Sequence, residues 1–170
     1  LEDRDGLIEL LRALDDHPSG VTYRISSLEP MDCSPDIIDL VATSGRFAAH
    51  FHLPLQHASD TMLCRMRRPY TLAVYRRAVD RIRHLMPHAG IGSDVIAGFP
   101  GETDEDAAQT LDYLSSSSLT YLHVFPYSPR PGTEAARLPG RVAGPLVRER
   151  ARALRDVGAT LSRQFRERLV

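Results

Sequence analysis

Leu7, Leu10, Leu11 and Leu14 recur at helical spacing, which predicts a helix over residues 3–15, ended by "HPSG". "VTYRISSLEP" (21–30) alternates and is rich in β-formers, predicting a strand over about 22–27. In "SPDIIDLVATSG", Ser34 suits an N-cap, Pro35 the first helical position and Gly45 the stop. "AHFHLPLQ" (49–56) predicts the second strand, and "ASDTMLCRM" a short helix. "YTLAVYRRAVDRIRHLMP" (70–87) predicts an amphipathic helix with Val74, Ala78, Ile82 and Leu85 inward, closed by Pro87. "IGSDVIAGF" (91–99) is almost all apolar, the pattern of a parallel strand covered on both sides. Thr103 caps a predicted helix over about 104–116, with Asp104, Glu105 and Asp106 complementing its dipole. "LTYLHVFPYS" (119–128) predicts the fourth strand. A Pro/Gly-rich loop runs to about Pro145. A long last helix then carries Leu146, Ala153, Val157, Leu161 and Phe165 on or near one face.

One helix followed by four strand–loop–helix units is regular β–α alternation. That order implies α/β architecture with a parallel sheet and crossover helices. A doubly wound sheet and a partial (β/α) barrel of about four parallel strands both satisfy it. A length of 170 residues, 42% apolar and 25% charged, fits one globular domain with a real core. The net charge of −1 singles out no partner. Every basic residue is arginine, which favours bidentate contacts to phosphate or carboxylate, although a GC-rich genome is the larger cause. Cys33 and Cys64 form neither a disulfide framework nor a C-x-x-C site, so a reducing, cytoplasmic setting is expected. No apolar stretch is long enough to span a bilayer and no signal peptide is visible, so no membrane partner is expected. The chain begins with Leu1, and an excised piece of a longer protein is expected.

Each predicted strand delivers polar groups at its end: Ser26, Ser27 and Glu29; Gln56, His57 and Ser59; "GFPGET"; and "HVFPYSPRPGT". Four in a row suggest one site on a shared rim. Gly98 permits close backbone approach and Pro100-Gly101 a sharp turn. Asp94 opens an apolar strand, where a bare carboxylate is costly, so it needs a buried arginine or the hydroxyls of a ligand. His50 and His52 share one strand face, and with His123 and Asp94 they match the donor count of a metal-dependent hydrolase barrel. Against this stands the ordinary reading of strand histidines as satisfied core or rim groups, which the lack of a further cluster favours. Arg65, Arg67, Arg68, Arg76, Arg77, Arg81 and Arg83 crowd one window. Mostly that is a solvated helix face, but Arg67 and Arg68 lie nearer the rim, where a polyanion would fit.

"HLPLQ..SD..L..MRR.YT", "DVIAGFPGET" and "HVFPYSPRPGT", in that order, resemble the radical-SAM methylthiotransferases. That family adds a methylthio group to C2 of adenosine 37 in tRNA, or to a ribosomal-protein aspartate. The last motif is most similar to the branch acting on N6-threonylcarbamoyl-adenosine. The resemblance implies a six-stranded partial (β/α) barrel of which residues 1–170 supply the C-terminal portion, strands three to six. The N-terminal cluster-binding domain, the first two barrel units and the C-terminal RNA-binding domain would then be absent.

The resemblance also implies roles. Glu29 would accept from the S-adenosylmethionine amino group or ribose, and Gln56 and Asp94 would hydrogen-bond the ribose hydroxyls. Arg68 would pair with the methionine carboxylate; its alternative is a phosphate or a nearby acid. Ile96 and Gly98 would line the adenine face, and the backbone around Phe125 would meet the adenine edge. Arg67, Tyr127, Ser128 and Arg130 would face the substrate nucleoside of a tRNA anticodon loop, splayed into the barrel mouth. The implied chemistry is radical cleavage of S-adenosylmethionine by a [4Fe–4S] cluster, with sulfur drawn from an auxiliary cluster. Yet the C-x-x-x-C-x-x-C loop is missing, Cys33 and Cys64 match no ligand, and no metal site or catalytic residue is assigned. Activity of this chain alone is therefore not expected. "QHASD" stands where the family reads "QSGSD", so His57 and Ala58 alter that loop. An unpaired strand near Tyr23–Ser27 would invite self-association. A non-catalytic RNA- or partner-binding piece is a further alternative.

Overall fold

Three strands pair in parallel in the order β1 (His50–His52), β2 (Gly90–Ala97), β3 (Tyr121–Pro126) in the computed structural model, which describes residues 5–169. The register sets His52 beside Gly92, Gly92 beside Tyr121, Asp94 beside His123 and Ile96 beside Phe125. Helices α1 (Asp5–Asp16), α2 (Pro35–Thr43), α3 (Asp60–Arg65), α4 (Leu72–Leu85), α5 (Asp104–Ser116) and α6 (Gly144–Glu167) fill the connections. Residues 3 and 4 of the expected first helix lie outside the described residues. Local chemistry sets the helix starts: Ser34, Ser59, Thr71 and Thr103 each accept a hydrogen bond from the backbone N–H three residues on. α6 packs on β2 and β3, α5 lies against α6, and α2 against α4.

The first of the four expected strands, over about 22–27, makes no ladder. Residues 21–28 meet the chain before and along β1 only at isolated parallel bridges, Tyr23 with Phe47 and Ser27 with His52. The step between the bridges is four residues on one side and five on the other, so one residue is surplus. It is absorbed where the His50 N–H turns back to donate to the Ala48 carbonyl at 2.7 Å. β1 is also shorter than expected, for the same reason at its other end. From His52 to Gln56 is four residues, while β2 advances three, from Gly92 to Val95. Pro54 has no N–H to give, and the Leu55 N–H donates instead to Ser93 Oγ at 3.1 Å. Pairing resumes when the Gln56 N–H meets the Asp94 carbonyl at 2.8 Å.

β2 is covered on one face only, against the expectation of two. Ile91, Ser93, Val95 and Ala97 are buried beneath the helices, while Gly92, Asp94 and Ile96 alternate onto the other face with His52, Tyr121, His123 and Phe125. Two helix faces are also rotated from those predicted. α4 buries Tyr75, Ala78, Val79 and Ile82 and leaves Leu85 exposed, because the fully buried Tyr75 donates its hydroxyl to the Leu53 carbonyl at 3.2 Å. α6 buries Val147, Ala151, Leu154, Gly158 and Leu161. Its inner stripe rests on small residues that hydrophobic periodicity underweights: a Cβ on Gly158 would stand 3.2 Å from Leu122 Cβ, so glycine lets the helix lie close on β3.

Candidate functional site

The open face of the sheet carries a connected polar row. His52 Nε2 lies 3.0 Å from Asp94 Oδ1, and His123 Nδ1 lies 3.1 Å from the same oxygen. Tyr121 OH stands 3.1 Å from His52 Nδ1 and 3.0 Å from His50 Nε2, and Arg24 donates from Nε to His50 Nδ1 at 3.1 Å. Gly92 makes room for this: a Cβ there would sit 1.9 Å from the Tyr121 ring. Among the described side chains Asp94 is therefore partnered by two imidazoles and not by the expected arginine. Of the four residues counted toward a metal site, His52, Asp94 and His123 come together, while His50 is engaged by Tyr121 and Arg24. Burial, then Arg24 and His52, push the His50 pKa down, since each opposes a second positive charge.

Beyond this row, at the C-terminal ends of the strands, a cleft of about 620 Å³ opens. Gln56, Arg68, Asp94, Ile96, Phe125, Tyr127, Ser128 and Arg130 line it, with Phe99 adding apolar surface. Gln56 is placed by a positive φ of 65°, part of the irregular exit from β1. Arg68 pairs with Glu29 at 3.4 Å, its acidic alternative, which brings Glu29 to the cleft's edge. Gly98 faces a neighbouring cavity of about 350 Å³ behind the strand ends. Arg67 stands outside, exposed and paired with Glu134. Tyr127 lines both spaces and leaves its hydroxyl buried without a hydrogen-bond partner.

The "GFPGET" turn is held from beneath by Glu102 and Arg150, to which the sequence assigned no role, together with His57. Glu102 is buried and accepts from the Gly98 N–H; Arg150 Nη1 of α6 lies 3.4 Å from its carboxylate, and His57 Nε2 3.5 Å. The His57 Nδ1 accepts the Ser59 N–H at 3.0 Å, which leaves its proton on Nε2, toward Glu102. Thus His57, the departure in "QHASD", is wholly buried and ties the Gln56 loop to the Gly98 turn. The signal was available: a histidine and a glutamate flanking two strand ends invite pairing. Arg150 gave none, being one arginine of many on a solvated-looking helix.

The arginine window is largely occupied. Arg65 donates to the Pro100 and Pro139 carbonyls, Arg76 stacks on Tyr113, Arg81 clamps Asp39, and Arg83 donates to the Ser118 carbonyl. With Arg67 and Arg68 also paired, six of these seven side chains already serve the fold.

The sequence profile of the radical SAM superfamily matches residues 1–114. The chain belongs to the radical SAM superfamily. Among curated relatives, it is 35% identical over 164 residues to the threonylcarbamoyladenosine tRNA methylthiotransferase MtaB of Thermotoga maritima, covering 96% of this chain and 38% of the relative. It is 39% identical over 168 residues to the tRNA-2-methylthio-N(6)-dimethylallyladenosine synthase of Mycobacterium avium, covering 99% of this chain and 24% of the relative. The chain thus spans well under half the length of these relatives. Among solved structures, the radical SAM enzyme coproporphyrinogen III oxidase of Escherichia coli superposes with a TM-score of 0.64 over 94% of this chain and 36% of that one, at 19% identity. That likeness establishes a shared partial-barrel fold.

The superfamily's two cofactors fare differently on this radical SAM chain. S-adenosylmethionine fits the cleft: a carboxylate and an amide for hydroxyls, an arginine for a carboxylate, and apolar walls meet there. A [4Fe–4S] cluster does not fit. The only two cysteines are a buried Cys33, whose thiol pKa burial pushes up to about 12, and an exposed Cys64 on α3. No helix among the described residues is long and apolar enough to cross a membrane.

Proposed function

We propose that this chain forms the S-adenosylmethionine-binding and base-facing wall of a cytoplasmic tRNA methylthiotransferase that modifies C2 of N6-threonylcarbamoyl-adenosine 37. The observation that carries this reading is the single cleft lined by Gln56, Arg68, Asp94, Ile96, Phe125, Tyr127, Ser128 and Arg130. The relatives' names and the "HVFPYSPRPGT" motif support the reaction and the branch. When bound, S-adenosylmethionine supplies the radical chemistry of the superfamily. This chain's residues bind and orient. Asp94 and Gln56 accept and donate at neighbouring ribose hydroxyls, and Arg68 leaves Glu29 to clamp the methionine carboxylate. Ile96, Phe99 and Phe125 exclude water from the adenine, and Tyr127, Ser128 and Arg130 face the splayed tRNA base.

Calorimetric titration of S-adenosylmethionine tests the cleft. Asp94→Ala and Arg68→Ala are each expected to weaken binding about tenfold or more, the loss of one charge-assisted contact. Unchanged affinity in both would overturn the assignment. The branch is tested by mass spectrometry of tRNA nucleosides from cells lacking this reading frame. Loss of the 2-methylthio form of threonylcarbamoyl-adenosine is expected. Loss of the isopentenyl counterpart instead would transfer the chain to the branch of the Mycobacterium avium relative.

A further inference from the structure

His52 and His123, which the cleft does not use, stand beside Asp94, which lines its inner edge. All three donor atoms lie within 4.8 Å of one another, and both imidazole nitrogens point at one carboxylate oxygen, at 3.0 and 3.1 Å. Donors bound to one ion at about 2.1 Å and at the tetrahedral angle stand about 3.4 Å apart. The present hydrogen-bonded spacing, 3.0 and 3.1 Å, is a few tenths of an ångström short of two such edges, so an ion replaces the protons once the carboxylate and imidazoles spread slightly.

The supports favour this as well. The three ligands come from three adjacent strands whose ladders fix them. Tyr121 OH on His52 Nδ1 holds Nε2 toward the carboxylate, the outer contact that metal-binding histidines characteristically make. His123 is more than half exposed, so an ion can enter and keeps positions open toward solvent and the cleft. Two nitrogens and one oxygen suit a divalent transition ion such as Zn²⁺, Co²⁺ or Fe²⁺ rather than Mg²⁺ or Ca²⁺.

We infer that His52, Asp94 and His123 form a binding site for one divalent transition-metal ion on the open face of the sheet. No proton need be lost overall. The His52 proton moves to Nδ1 and is donated to the Tyr121 oxygen, and the His123 proton moves to Nε2, toward water.

The test titrates Co²⁺, followed by visible absorption, and Zn²⁺, by competition with a chromophoric chelator, into the chelator-stripped chain. One equivalent is expected. Asp94→Asn and His123→Ala are expected to weaken binding about a hundredfold. Tyr121→Phe, which keeps all three ligands, is expected to weaken it about tenfold. His88→Ala, an exposed histidine elsewhere, is expected to change nothing. Circular dichroism confirms that each variant is folded. Absence of binding, or binding equal in His123→Ala and the parent chain, overturns the site and leaves a hydrogen-bonded row only. Titration of S-adenosylmethionine into the metal-free chain and its Arg68→Ala variant reads the proposed function separately, so failure of one inference is distinguishable from failure of the other.

Discussion

Cys33 and Cys64 differ only in where the fold places them, and that decides their chemistry. Cys33 sits 5% exposed in the core, and burial disfavours its thiolate, so its pKa rises to about 12. Cys64 is exposed on α3. At pH 8 an aromatic disulfide reagent is expected to titrate one thiol per native chain and two after denaturation; two fast-reacting thiols in the native chain would contradict the burial of Cys33. Asp94 makes the same point about legibility. The sequence demanded a partner for it and grouped it with His50, His52 and His123, but only the strand register shows that His52 and His123 reach it and His50 does not. Glu102 was hidden differently: it stands next to helix-capping acids, and its burial under Gly98 depends on α6 closing over the turn.

At the scale of elements, the helix starts were readable because a cap is a local device. Thr103 and Asp106 form a reciprocal box, and Thr103→Ala is expected to cost about 1 kcal/mol, read as a lowered denaturation midpoint. Burial alone would raise the Asp106 pKa, but hydrogen bonds from Ser59 and Thr103 outweigh it and hold the carboxyl below its ordinary range. A depressed folded pKa stabilises above the unfolded carboxylate value, about 3.9, and that stabilisation disappears as pH falls through the lower folded value. Thermal midpoints from pH 7 to pH 2 are expected to fall less steeply at the acid end in Asp106→Asn than in the parent. The "GFPG" turn was legible as a break, but not as a fit. Gly98 has φ +78°, and a Cβ there would stand 2.4 Å from Val147. Gly98→Ala is accordingly expected to lose about 1–3 kcal/mol. The strands were less legible, because a one-residue surplus leaves no mark on alternation.

The whole molecule has one face closed and one open. Alternating β–α order sufficed to foresee the parallel sheet, but not which side the helices would leave bare. On the bare side Phe125 is 50% exposed, and β3 pairs with a neighbour along only one of its edges. Residues 21–28 add two bridges rather than a ladder at the other end. Such surfaces seek cover. Light scattering is expected to show the chain associating as concentration rises, and less so in Phe125→Ser; a concentration-independent monomer would contradict it.

The extra residue between His52 and Gln56 sets a length. With uninterrupted pairing Gln56 would stand level with Ile96; instead it stands level with Val95, one rung lower, its backbone about 3.3 Å closer along the strand to Asp94. That interval seats the Gln56 backbone beside Asp94, whose carbonyl accepts the Gln56 N–H at 2.8 Å. The bulge in this way works as a ruler: it fixes the rung at which Gln56 enters the cleft beside Asp94.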